Sequence, residues 1–172
     1  MKRLNFGCQT DIKSKSDGWI NLDIYPYDGI DVQHDMNKYP YPFPDSTFDE
    51  VYSRLSLYVV DDWIKCITEL HRISKKGARW LIVVPWYNHR SAYNTLCKHQ
   101  FTQYSFDYFD FNRKKSSNPK YHGITPILFK ITKKTVIPTK FGKFFPAKLF
   151  MGQVLGNIIK SIQFEMEVTK GE

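Results

Sequence analysis

The fold turns on "RLNFGCQTDIKSKSDGWINLDIYP", residues 3–26. RLNF is a short run of strand formers that ends at Gly7, and WINLDI, residues 19–24, is a second such run with Asp23 near its end. A glycine closing a strand gives a turn at which a ligand can approach the backbone. An acidic residue closing the next strand is where a nucleotide-binding sheet accepts hydrogen bonds from a ribose. Strand, glycine, connection, strand is therefore the first half of an α/β nucleotide-binding unit. Gln9 stands where such loops use another glycine, at a cost of about 1 kcal/mol if its φ is positive.

Working outward, residues 30–33 give a third short strand before Asp35, and YPYPFPDSTFD, residues 39–49, sets prolines at alternate positions and reads as an extended loop. Residues 50–53 give a fourth strand, closed by Ser53 and Arg54. DDWIKCITELHRISKKG, residues 61–77, is the clearest helix, with Trp63, Ile64, Ile67, Leu70 and Ile73 on one face. Asp61 and Asp62 suit its positive end; Lys75, Lys76 and Gly77 suit its stop. Residues 80–84 form an apolar run typical of a buried parallel strand. Residues 127–137 and 162–169 alternate as strands around a helix at 145–159, and QFEMEV reads as an antiparallel edge. The expectation is one domain over residues 1–172: a Rossmann-like, mostly parallel sheet with helices on both faces and an antiparallel closing strand.

Residues 86–123 are polar, aromatic and irregular, a length that marks a functional or disordered loop, and are expected to form a lid over the carboxyl ends of the strands. The lid carries Trp86, Tyr87, Tyr104, Phe106 and Tyr108.

The chain has 172 residues and a formal charge of +8, which favours acidic partners such as phosphates, nucleic acid or anionic lipid. Arg113, Lys114 and Lys115, with Lys130, Lys133, Lys134, Lys140 and Lys143, could form a basic patch for nucleic acid, although solvated lysines around loops are the commoner explanation. Three widely spaced cysteines give neither a disulfide framework nor a zinc ribbon, and no long apolar stretch is present, so a soluble cytoplasmic protein is expected. His89, Cys97 and His99 match no metal-ligand spacing. Neither GxxxxGK[ST] nor GxGxxG occurs, which disfavours a phosphate-cradling loop and a pyrophosphate cofactor. A nucleoside cofactor without phosphates remains.

Several stretches in order carry a resemblance: Leu4-Asn5-Phe6-Gly7-Cys8-Gln9, Gly18-Trp19-Ile20-Asn21-Leu22-Asp23, Asp35-Met36-Asn37, residues 39–51, Glu69-Leu70-His71-Arg72-Ile73, and residues 83–87 and 101–109. Together they resemble the class I S-adenosylmethionine-dependent methyltransferases, in the subgroup related to methyltransferase type 11. The resemblance implies that Gly7 and Cys8 lie against the methionine part of S-adenosylmethionine. It also implies that Asp23 holds the ribose, that Asp35 and Met36 flank the adenine, and that Ser53 and Arg54 border the transferring methyl. The chain departs from the pattern at Gln9, at Leu55, Leu57, Tyr58 and Val59, and at residues 94–97, where relatives carry glycine, acids or histidines. His89 and His99 are the candidate replacements for a lost catalytic base. Two rivals stand beside methyl transfer to an unidentified acceptor: a non-catalytic interaction protein on this fold, and a basic nucleic-acid-binding module.

Overall fold

The computed structural model describes residues 1–111 and 128–170. Among the described residues seven strands form one sheet: β1 (Arg3–Phe6), β2 (Trp19–Asp23), β3 (Val32–Gln33), β4 (Phe48–Arg54), β5 (Ser74–Pro85), β6 (Leu128–Pro138) and β7 (Ile159–Thr169), in the order β3-β2-β1-β4-β5-β7-β6. β3, β2, β1, β4 and β5 pair in parallel, and β7 is antiparallel to both its neighbours. The expected mostly parallel, Rossmann-like sheet with an antiparallel strand is present. β7 is not its edge, however: it lies between β5 and β6, and β6 is the outer strand.

Register sorts the side chains into rows that share a face. Leu4, Val51, Trp80 and Met166 lie side by side, as do Phe6, Ser53, Ile82 and Phe164. This face is the core, and α1 (Trp63–Ile73) packs Cys66, Ile67, Leu70 and Ile73 into it. The alternate rows, Arg3-Glu50-Arg79-Glu167 and Arg54-Val83-Gln163, point the other way, and apart from Val83 these side chains are half-buried or exposed. Such alternation is what a sheet with one wet face requires.

α1 starts as the sequence indicates, with the Asp62 carboxylate accepting from the Lys65 amide at 2.9 Å. It ends earlier than expected. Ser74 is already extended, its hydroxyl donates to the Leu70 carbonyl at 2.7 Å, and the buried Trp80 indole donates to that hydroxyl at 2.9 Å. Lys75, Lys76 and Gly77 therefore belong to β5, and Gly77, with φ +77°, sits where the β4–β5 register slips. On α1, Arg72 binds the Glu69 carboxylate and the Tyr41 and Phe43 carbonyls, pinning the proline-rich loop. A later helix among the described residues, α2 (Lys148–Val154), is half the expected length, and Ile159 already opens β7.

No α-helix joins β1 to β2. Residues 7–18 instead fold over two buried asparagines. Asn5 donates to the Asp11 carbonyl (2.6 Å) and to Asn21 Oδ1 (2.9 Å), while Asn21 exchanges two hydrogen bonds with the Lys13 backbone, both 2.9 Å.

Past β5, Phe101, Phe106 and Phe109 surround the Trp63 ring, with centroids 5.4–5.7 Å away. Trp86 is buried and donates to the Gly152 carbonyl at 3.1 Å. The basic run at Arg113, Lys114 and Lys115 and the end of the expected lid lie outside the described residues. Among the described residues no helix is long and apolar enough to cross a membrane.

Ser74→Ala leaves the buried Trp80 N–H without its acceptor. The expected loss is about 1–3 kcal/mol, read as a lower denaturant midpoint at unchanged slope.

Candidate functional site

The carboxyl ends of β1, β2, β3 and β4 frame a cleft of about 310 Å³. β1 contributes Gly7 and Gln9. The exit of β2 contributes Asp23, Ile24, Tyr25 and Tyr27, and Asp35, Met36 and Asn37 follow β3. Ser56, Tyr58, Val59 and Val60 follow β4, and Leu96 and Lys98 close the rim. Gly7 has φ +64°, and a side chain there would meet Ser56 Cβ at 2.5 Å and crowd Met36 Sδ at 3.0 Å. Only glycine fits this position.

Gln9 takes the positive φ, +49°, that its place in the turn threatened. Its amide donates to Asp23 Oδ2 at 2.8 Å, and the Tyr25 amide donates to Oδ1 at 3.0 Å. Asp23, only 3% exposed, thus ties the β1 loop to the β2 exit. The Gly7 and Cys8 amides both donate to the Leu22 carbonyl, at 2.9 and 3.1 Å. The first three loop amides are therefore bonded within the chain and present nothing to a phosphate. Burial, with Asp23 nearby, pushes the Cys8 thiol up to about 11, so it stays protonated at neutral pH and is no nucleophile.

Of the residues singled out by sequence, Gly7, Asp23, Asp35 and Met36 meet in this cleft. Cys8 is buried beside it. Ser53 is buried one step beneath, its hydroxyl 2.6 Å from that of Ser56, which in turn donates to the Phe6 carbonyl. Arg54 lies on the opposite face of the sheet.

Neither His89 nor His99 lines the cleft. His99 Nε2 is 2.9 Å from the Val60 carbonyl, and the Lys98 amide donates to the Tyr58 carbonyl at 2.8 Å, so this segment braces the cleft wall. His89 caps a single helical turn, with Nδ1 2.6 Å from the Ser91 hydroxyl; burial, then Arg90 and Lys160, lower its pKa. Trp86, Tyr87, Tyr104, Phe106 and Tyr108 do not line the cleft either. Its aromatic walls are Tyr25, Tyr27 and Tyr58. The signal for the first two was present as exposed tyrosines flanking Pro26 directly after Asp23. Lys133 pairs with Glu165 at 3.5 Å and Lys134 with Asp107, which neutralises two members of the expected basic patch.

Residues 13–82 match the family model of a methyltransferase domain. No curated protein matches the sequence. Solved structures are similar over nearly the whole chain. An S-adenosylmethionine-dependent methyltransferase from Mesorhizobium loti is 14% identical, with 96% of this chain and 90% of that one covered and a TM-score of 0.58. The YcgJ protein of Bacillus subtilis is 10% identical, with 99% and 92% covered and a TM-score of 0.60. The [4+2]-cyclase SpnF is also similar, at 12% identity, with 99% and 75% covered and a TM-score of 0.61. At such identities the likeness establishes the fold, that of the class I methyltransferases, and the cyclase shows that the fold admits other chemistry.

Two outcomes follow from this geometry. Gln9→Gly removes a strained side chain and should raise stability by about 0.5–1 kcal/mol in equilibrium unfolding; a destabilised variant would show that the turn is unstrained. For His89 the unfolded chain binds a proton more readily than the folded one. Its contribution is therefore constant above the ordinary histidine value, about 6.5, and is lost as pH falls from there toward the lowered folded value. His89→Gln should flatten that part of the profile of unfolding midpoint against pH.

Proposed function

We propose that the chain transfers a methyl group from S-adenosylmethionine to an acceptor, with the cofactor seated in the cleft at Gly7. One observation carries the reading: Gly7, Asp23, Asp35 and Met36, distant in sequence, converge at the carboxyl ends of parallel strands, where an open α/β sheet binds its ligands. The lining supports a nucleoside without phosphates. Two carboxylates there repel phosphate, and the loop amides are already engaged.

Asp23 would hold the ribose, since each of its oxygens accepts one amide and keeps a lone pair for a hydroxyl. Asp35 and Met36 would flank the base, and Gly7, with the buried Cys8 beside it, would face the amino-acid end. Tyr25, Tyr27 and Tyr58 would offer ring faces to a sulfonium. Bound here, the cofactor supplies a methyl group already activated by positive sulfur. The residues of the cleft then act by positioning and by excluding water. A protein base is needed only for an acceptor that must lose a proton, and the placement of His89 and His99 favours an acceptor that needs none. Free Cys8, Cys66 and Cys97 support a reducing, cytoplasmic setting.

The test is the unfolding midpoint with S-adenosylmethionine and with its demethylated product. At 100 times its dissociation constant a ligand adds about 2.7 kcal/mol, a shift of several degrees. Asp23→Asn and Asp35→Ala, each compared with its own unliganded midpoint, should lose that shift. If millimolar cofactor gives no shift in the wild type and calorimetry records no heat, the non-catalytic interaction protein becomes the better reading.

A further inference from the structure

A second cleft, of about 290 Å³, opens at the same edge of the sheet but on the face turned away from α1. Its floor is the Arg54-Val83-Gln163 row, and Lys160 and Ser91 stand at its margin. Lower on this face cations meet carboxylates: Arg3 and Arg79 both lie 3.4 Å from Glu50, and Lys133 lies 3.5 Å from Glu165. At the carboxyl edge the balance ends. Among the described residues no carboxylate lines the cleft, and neither Arg54 nor Lys160 has an ion-pair partner.

The corner after β4 links this cleft to the first. Leu55 has φ +56°, a conformation costly to a branched side chain, and is held there by its amide's 2.8 Å bond to the Val83 carbonyl. That turn sends Arg54 and Leu55 into the second cleft and Ser56 into the first. The two clefts share one wall.

We propose that the second cleft binds an oxyanion, a carboxylate or phosphate group of a small molecule, between Arg54 and Lys160. Two cations lining one cleft without a counter-ion suit such a group, and a guanidinium fork fits either one. Its further assignment as the seat of the acceptor's charged end rests on the methyl-transfer reading; oxyanion binding itself does not.

Backbone amide NMR at constant ionic strength, titrated with inorganic phosphate and separately with acetate, tests both points. Saturable shifts at Leu55, Lys160 and Ser161 are expected, with the stronger of the two probes identifying the kind of anion. Arg54→Ala and Lys160→Ala, both at exposed positions, should keep the fold and weaken binding at least about tenfold. Shifts that do not saturate, or that are equal in wild type and both variants, overturn the proposal. Asp23→Asn should retain the phosphate shifts while losing the cofactor's thermal shift, so failure of one site and failure of the other give different signals.

Discussion

Two buried amides hold the first half of this sheet together. Parallel neighbours need a long connection, usually with a helix, and between β1 and β2 the chain uses residues 7–18 without one. Asn5 and Asn21 sit opposite each other in the β1–β2 register and supply from side chains the hydrogen bonds that a helix would make internally. That register brings the Leu22 carbonyl under the Gly7 and Cys8 amides and the Asp23 carboxylate under that of Gln9. The cleft inherits its shape from this arrangement.

Strain gathers at the same edge. Gln9 and Leu55, in the turns that follow β1 and β4, take the left-handed region at about 1–2 kcal/mol each, and each is held by one well-formed bond. The bond to Asp23 involves a charged acceptor, which is worth about 1.5–3 kcal/mol and can offset the cost of the turn that carries it. A degenerate glycine motif is thus compatible with a formed cleft, because the acid that would face a ribose also secures the loop.

Much of this could be read from the residues. The strands around Gly7 and Asp23 carry their own pattern, and α1 follows from its apolar spacing. Its end did not, because Lys75, Lys76 and Gly77 are good stop residues, and the bonds that hold Ser74 at the start of a strand, from its hydroxyl to the Leu70 carbonyl and from the Trp80 indole six residues on, leave no mark in apolar spacing. The place of β7 was hidden as well, since alternation specifies a face but not a neighbour. The resemblance groups Ser53 and Arg54 as one border of the methyl, yet adjacent strand residues point to opposite faces, and that period buries Ser53 beneath the first cleft and turns Arg54 into the second. The tyrosines of the β2 exit, isolated rings in a turn, carry no periodic signal, and only their place around Pro26 just after Asp23 marks them.

The wet face of the sheet bears on thermodynamics. Strands that alternate Arg3, Glu50 and Arg79 with Leu4, Val51 and Trp80 release apolar surface from one side only when they separate. Newly hydrated apolar surface raises heat capacity and polar surface lowers it, so the two sides of each strand partly cancel on melting. The enthalpy of unfolding then varies slowly with temperature. At a given midpoint and enthalpy of unfolding, a smaller heat-capacity change straightens the stability curve, so the margin that keeps the cleft formed persists further below the midpoint.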